Sequence, residues 1–287
     1  MYRCFFVSDL HGQVPRYQKL FAAIAAEKPQ AVFLGGDLLP HGLDQSWSAS
    51  QPAGDFIEVI LRSGFAQLQQ NLGPAYPRVF LIPGNDDPRS QEPALNGPQR
   101  AGLWEYAHNR KLALDTFAVL GYACVPPTPF LLKDWERYDV SRFVDPGCLS
   151  PEEGQRTVPV PAHEIRHTTI ADELARLADQ DDLSRAVCLF HSPPYQTQLD
   201  RAALDGKVVD HVPLDVHVGS IAIQRFLSEQ QPLASLHGHV HESTRLTGHW
   251  WERIGRTHAF NAAHDGPELA LVRIDLDDLG QATRELL

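Results

Sequence analysis

The sequence predicts a layered α/β domain, and two observations carry that prediction. Short apolar runs of strand length alternate with stretches whose apolar residues recur at helical spacing. Five of those runs also end on Asp, Asn or His, and in open α/β sheets sites form beyond the carboxyl ends of the strands. The 287 residues, 43% of them apolar, supply a sizeable core and are read as one domain spanning 1–287.

Taken in order, RCFFV (3–7) is a buried strand. Pro15 suits a helix start, with Tyr17, Leu20, Phe21 and Ile24 on one face. AVFLG (31–35) is the second strand. Phe56, Ile57, Ile60, Leu61, Phe65, Leu68 and Leu72 trace a helix closed by Gly73-Pro74. RVFLI (78–82) is the third strand. Residues 88–167, rich in Pro, Gly, Trp and Arg with weak periodicity, read as a cap-like insertion between core strands. Thr169 and Asp172 resemble a capping box opening a helix with Ile170, Leu174 and Leu177. AVCLF (186–190) and PLASLHG (232–238) are further strands, separated by a helix that Ser220 caps. ELALVRIDL (268–276) closes the domain, with HAFNAA (258–263) as its pairing partner and Asn261 as a turn residue.

Composition narrows the function. A formal charge of −11 gives little general attraction for nucleic acid, so a phosphorylated ligand needs a local source of positive charge. No stretch approaches the ~20 apolar residues of a membrane span. The N-terminus lacks the pattern of a signal peptide. Cys4, Cys124, Cys148 and Cys188 are scattered without a C-x-x-C pair, the pattern of a reduced, cytoplasmic chain.

After the first strand come Asp9 and His11; after the second, Gly36 and Asp37; after the third, Gly84 and Asn85. His191 follows the fourth, and Gly238, His239 and His241 follow the fifth. A single D-x-H, G-D or lone His is weak evidence. All five in this order point to a metal site. Imidazole, carboxylate and amide donors without thiolate suit Mn, Fe or Zn.

The ordered set Asp9/His11, Gly36/Asp37, Gly84/Asn85, His191 and Gly238/His239/His241 resembles the calcineurin-like metallophosphoesterase superfamily. TPFLLKDWERYD, HSPPY with Asp200 following, and HVGS are similar to a little-characterised branch of it. The resemblance implies a four-layer α/β/β/α sandwich and a centre of two divalent or trivalent metal ions. It implies Asp9, His11, Asp37 and His241 on one ion, and Asp37, Asn85, His191 and His239 on the other, with Asp37 bridging. The implied reaction is hydrolysis of a phosphomonoester or phosphodiester by a metal-bridging hydroxide. A small phosphorylated substrate suits the acidic chain better than nucleic acid; a nuclease and a non-catalytic metal-binding scaffold are the alternatives.

The sequence departs from the family after Asn85. Many relatives carry His there, assigned to the leaving-group step, and an Asp or Asn partner three residues after the bridging Asp. Here those positions are Asp86 and Pro40. Three readings of Asp86 stand: a protonated acid, a carboxylate orienting a ligand histidine, or a turn residue beside Pro88. His41 and His217 are the other candidate acids. Asp87 matches the family's final acid and is read as structural. In the cap, Trp135, Glu136, Arg137 and Tyr138 are read as packing residues before substrate contacts, and Tyr195 as a residue at the site mouth.

Overall fold

In the computed structural model, which describes residues 1–40, 56–97, 102–179 and 181–287, the apolar runs become strands of two six-stranded sheets. The first holds β1 (Arg3–Val7), β2 (Ala31–Gly35), β3 (Arg78–Ile82), β4 (Glu105–Tyr106), β13 (Ala270–Asp275) and β14 (Thr283–Leu286). Its order is β14-β13-β1-β2-β3-β4. The second holds β5 (Arg110–Leu114), β6 (Phe117–Tyr122), β7 (Ala186–Phe190), β10 (Ala234–His237), β11 (Trp251–Ile254) and β12 (Thr257–Asn261). Its order is β11-β12-β10-β7-β6-β5. A short ribbon of β8 (Val208–Val209) and β9 (Val212–Pro213) stands apart. Strands β1 to β4 run parallel, as do β6, β7, β10 and β12, and antiparallel strands finish the edges.

Alternation along the parallel strands builds the layers. Phe5, Val7, Val32, Leu34, Val79 and Leu81 pack with α1 (Val14–Glu27) and α2 (Ser63–Leu72) in one core. Cys4, Phe6, Phe33, Phe80 and Ile82 belong to the other, shared with the second sheet; the Phe33 and Phe80 rings stack 5.5 Å apart. Ile170 and Leu174 of α3 (Ile170–Ala178), with Ile223 and Leu227 of α4 (Ile221–Gln230), cover that sheet's far side. The result is the α/β/β/α sandwich.

Local signals act as read. Pro15 lies in the first turn of α1. Thr169 and Ser220 accept the backbone N–H of Asp172 and Ile223 as N-caps. A π-turn, Ile57–Arg62, precedes α2, and Gly73 ends it at φ 52. Two features differ from expectation. HAFNAA does not pair with the last long strand: β12 lies between β10 and β11 in the second sheet, while β13 pairs β1 and β14. And the stretch read as a cap-like insertion, 88–167, contributes β4 to one sheet and β5 and β6 to the other. No helix among the described residues is long and apolar enough to cross a membrane.

Candidate metal centre

The parallel strands deliver their next residues to one end of the sandwich. Two of the loops are laid side by side by Asp9 N–H to Gly36 O (3.0 Å), His11 N–H to Asp37 O (2.8 Å) and Gly12 N–H to Leu38 O (3.0 Å). Asp9, His11, Asp37 and His239 all sit at positive φ (56°, 44°, 51° and 72°). Side chains adopt that region rarely, and it persists where surrounding structure enforces it. Part of the enforcement is Arg16, which is buried and donates Nη1 to Asp9 O at 2.5 Å and Nη2 to Gly266 O. Sequence reasoning missed this residue. Gly84 is the close approach: a Cβ there would run into the Asp37 carboxylate and lie 2.7 Å from His191 Nε2.

Ligand atoms of Asp9, His11, Asp37 and His241 lie within 4.8 Å of one another. His241 Nε2 is 3.1 Å from His11 Nε2 and 3.2 Å from Asp9 Oδ1. On the other side, His191 Nε2 is 3.1 Å from Asn85 Oδ1 and 3.3 Å from Asp37 Oδ2, and the His239 ring lies 5.2 Å from the His191 ring. The seven residues expected as metal ligands are therefore gathered around Asp37.

Electrostatics says what this arrangement holds. His191 Nδ1 lies 2.7 Å from Gly35 O and donates to it, because a carbonyl only accepts. Neutral His191 then aims the lone pair of Nε2 at two oxygens. A proton on Nε2 or a metal ion between them reconciles that geometry, whereas the facing Nε2 atoms of His11 and His241, 3.1 Å apart, are satisfied when one ring's N–H donates to the other's lone pair. Burial acts to lower His191, but Asp37 outweighs it and raises it to about 10. Burial likewise opposes charge on His241, which Asp9 raises to about 9. Burial acts to raise Asp9, which His241 holds down at about 2, while His191 and His11 hold the buried Asp37 below the usual carboxylate range. His239 is pushed down to about 3 by burial and stays a neutral donor. Two buried carboxylates, four imidazoles and an amide oxygen fit metal ions of the Mn, Fe and Zn type.

Asp86 lies inside this assembly. It accepts from Asn85 Nδ2 at 3.2 Å, its Oδ2 is 3.5 Å from His11 Nδ1, and its backbone N–H donates to Asp37 Oδ1 at 2.8 Å. Asp87 is structural: fully buried, it accepts from Leu38, Leu39 and Gly84 N–H, and its carbonyl accepts from Trp135 Nε1. His41 lies outside the described residues. His217 Nδ1 is 2.7 Å from Oδ1 of Asp200, a buried carboxylate that also accepts from Gln196, Thr197 and Gly219 N–H. Tyr195 is part-exposed and donates to Asp215. Trp135, Glu136, Arg137 and Tyr138 are buried, as packing residues should be. Asn261 is no turn residue: it is buried and donates to Leu199 O and Ser243 Oγ.

Two facing sheets bring a cluster of Asp, His and Asn side chains able to hold metal ions to their strand ends. The chain belongs to the calcineurin-like phosphoesterase family, whose sequence model matches residues 2–243. It is a metal-dependent phosphoric ester hydrolase. The fold is similar to that of TT1561 from Thermus thermophilus, at 16% identity and TM-score 0.56, covering 99% of this chain and 98% of that one. A further solved chain is similar at 15% identity and TM-score 0.58, with coverage of 99% and 98%. No curated protein matches the chain by sequence.

Proposed function

We propose that the protein hydrolyses a phosphomonoester or phosphodiester of a small phosphorylated molecule. Asp9, His11, Asp37 and His241 would hold one ion, and Asp37, Asn85, His191 and His239 the second. The observation that carries this reading is the position of Asp37 Oδ2, 3.8 Å from His11 Nε2 and 3.3 Å from His191 Nε2, shared by both groups. Bound ions supply Lewis-acid polarisation of the phosphoryl group and activation of water. The chain's own part is to fix the donors. Asp86 orients Asn85 and His11, and the Gly35 carbonyl sets the tautomer of His191.

For the leaving-group proton we favour His217. Buried Asp200 accepts a hydrogen bond from Nδ1–H, which leaves Nε2 of a part-exposed ring as the atom that would carry the leaving-group proton. Asp86 is engaged with the ligands, which argues against it as the acid. The test is the metal-loaded protein assayed with an activated aryl phosphate and with an ester of a poor leaving group. His217→Ala should lose about 100-fold or more on the poor leaving group and much less on the activated one. Equal, small losses would remove His217 from the role, and His41→Ala is assayed in parallel. Less than one metal per chain with no turnover of mono- or bis-aryl phosphates would overturn the whole reading.

A further inference from the structure

The segment 123–167 carries an arginine that its surroundings do not pair. All three guanidinium nitrogens of Arg156 are closed to solvent, and none has a hydrogen-bond partner among the described residues. The residue as a whole is only part-buried, so the charge lies just beneath the surface. A buried charge without hydrogen bonds is costly, and such a group calls for a ligand, an ion or water.

The backbone around it is tightly built. Asp134 accepts from Arg89 N–H (2.8 Å), Thr157 N–H (2.9 Å) and the Thr157 hydroxyl (2.5 Å), and Ser90 N–H donates to that hydroxyl at 2.9 Å. This clamp brings the backbone of Arg89 beside that of Thr157, the residue next to Arg156, and the Arg89 charge acts on Arg156. The Arg89 guanidinium lies over the Trp135 ring at 5.4 Å. Among the described residues it spends only Nε, on Glu92 at 3.2 Å, and its side chain is 27% exposed. The neighbouring acids are taken: Asp134 by the clamp, and Glu136 by Lys133 Nζ (2.6 Å), Thr128 N–H (2.9 Å) and the Thr128 hydroxyl (2.5 Å). Burial first, then Arg137, lowers the basicity of Arg156; Arg89 adds to this while Asp134 and Glu136 oppose it. This is a locally positive spot on a chain of net charge −11.

We propose that Arg156, aided by the nearby charge of Arg89, forms an oxyanion site for a phosphate-type dianion. Guanidinium matches phosphate oxygens in a bidentate way that few other groups do. Arg89 stands four residues beyond Asn85, so chain reach alone keeps it within about 14 Å of that residue. The Arg89 backbone therefore lies on the same side of the chain as the Asn85 loop. Its anion is either the second phosphate of a substrate or free phosphate.

Binding is tested on the full chain stripped of metal, so the outcome does not depend on the metal reading. Inorganic phosphate and pyrophosphate are titrated calorimetrically against wild type, Arg156→Met and Arg89→Gln. Wild type should bind, and Arg156→Met should weaken binding at least about tenfold. Arg156→Met should also be as stable as wild type or more so in phosphate-free buffer, because an unpaired charge has gone. No binding by wild type up to about 10 mM, unchanged affinity in Arg156→Met, or a clear stability loss in that variant would each overturn the proposal. Kinetics of the metal-loaded enzyme then separate the two sources. A KM rise in Arg156→Met confined to substrates with two phosphates assigns the site to the substrate. Unchanged KM with lost phosphate binding assigns it to free phosphate.

Discussion

Asp86 is proposed to help hold the expected ligands, because its oxygens reach Asn85 Nδ2 at 3.2 Å and lie 3.5 Å from His11 Nδ1. On the proposed function, the first contact would hold the Asn85 amide with Oδ1 toward His191, and the second would set a carboxylate beside His11 Nδ1. Asp86→Ala should therefore weaken metal binding about 10- to 100-fold, the usual effect of losing a partner that orients a ligand. Competition titration against a metal indicator measures it. Unchanged metal affinity, with a rate loss only on poor leaving groups, would return Asp86 to the role of acid. His108 gives a prediction away from the centre. Burial first, then Arg137 and Arg89, push it down to about 3, and neutral Nδ1 accepts from Ala123 N–H at 2.9 Å. Between an unfolded value of about 6.5 and the folded value, the unfolded chain binds the extra proton. This contribution is full above pH ~6.5 and is lost as pH falls toward 3. Urea unfolding of wild type and His108→Gln across that range should show a shallower acid decline in the variant.

At the scale of elements, the strand-end loops are where packing turns into chemistry. Gly84 lets β3 pass against Asp37 and His191, and Gly84→Ala should weaken metal binding by at least about tenfold while the strands still form. Bound metal by mass spectrometry and far-UV circular dichroism check the two halves of that statement. The strands RCFFV, AVFLG, RVFLI and AVCLF were legible because strands buried on both faces read as unbroken apolar runs. Each residue expected as a ligand was legible because it lies one to four residues beyond the end of a strand. β4 escaped notice at two residues, and β5 because it is an edge strand with Arg110 and Lys111 exposed. The partner of β12 was illegible because the same apolar pattern suits either sheet, and only the long-range match to β10 decides. Arg16 has no local signature, since its tie to Asp9 O exists only once α1 has docked on β1.

At the scale of the molecule, a net charge of −11 surrounds a centre that must attract an anion. The two act over different ranges. The overall field is long-range and screened by salt, with a Debye length of ~30 Å at 0.01 M falling to ~8 Å at 0.15 M. The attraction at the centre acts at contact among buried groups and is screened little. Adding salt should therefore remove repulsion faster than attraction. For a small dianionic phosphoester, kcat/KM should rise roughly two- to fivefold over that range. A nuclease with a cationic track behaves oppositely, because neutralising each phosphate releases counterions and binding falls steeply as salt rises. Initial rates at low substrate, with saturating metal, on a mononucleotide diester and on a single-stranded oligonucleotide decide between them. A rise for the small diester, with the oligonucleotide poor at low salt, follows from the acidic surface. A steep fall with salt for a well-cleaved oligonucleotide would mean that a basic track overrides the net charge, and the substrate class would have to be redrawn.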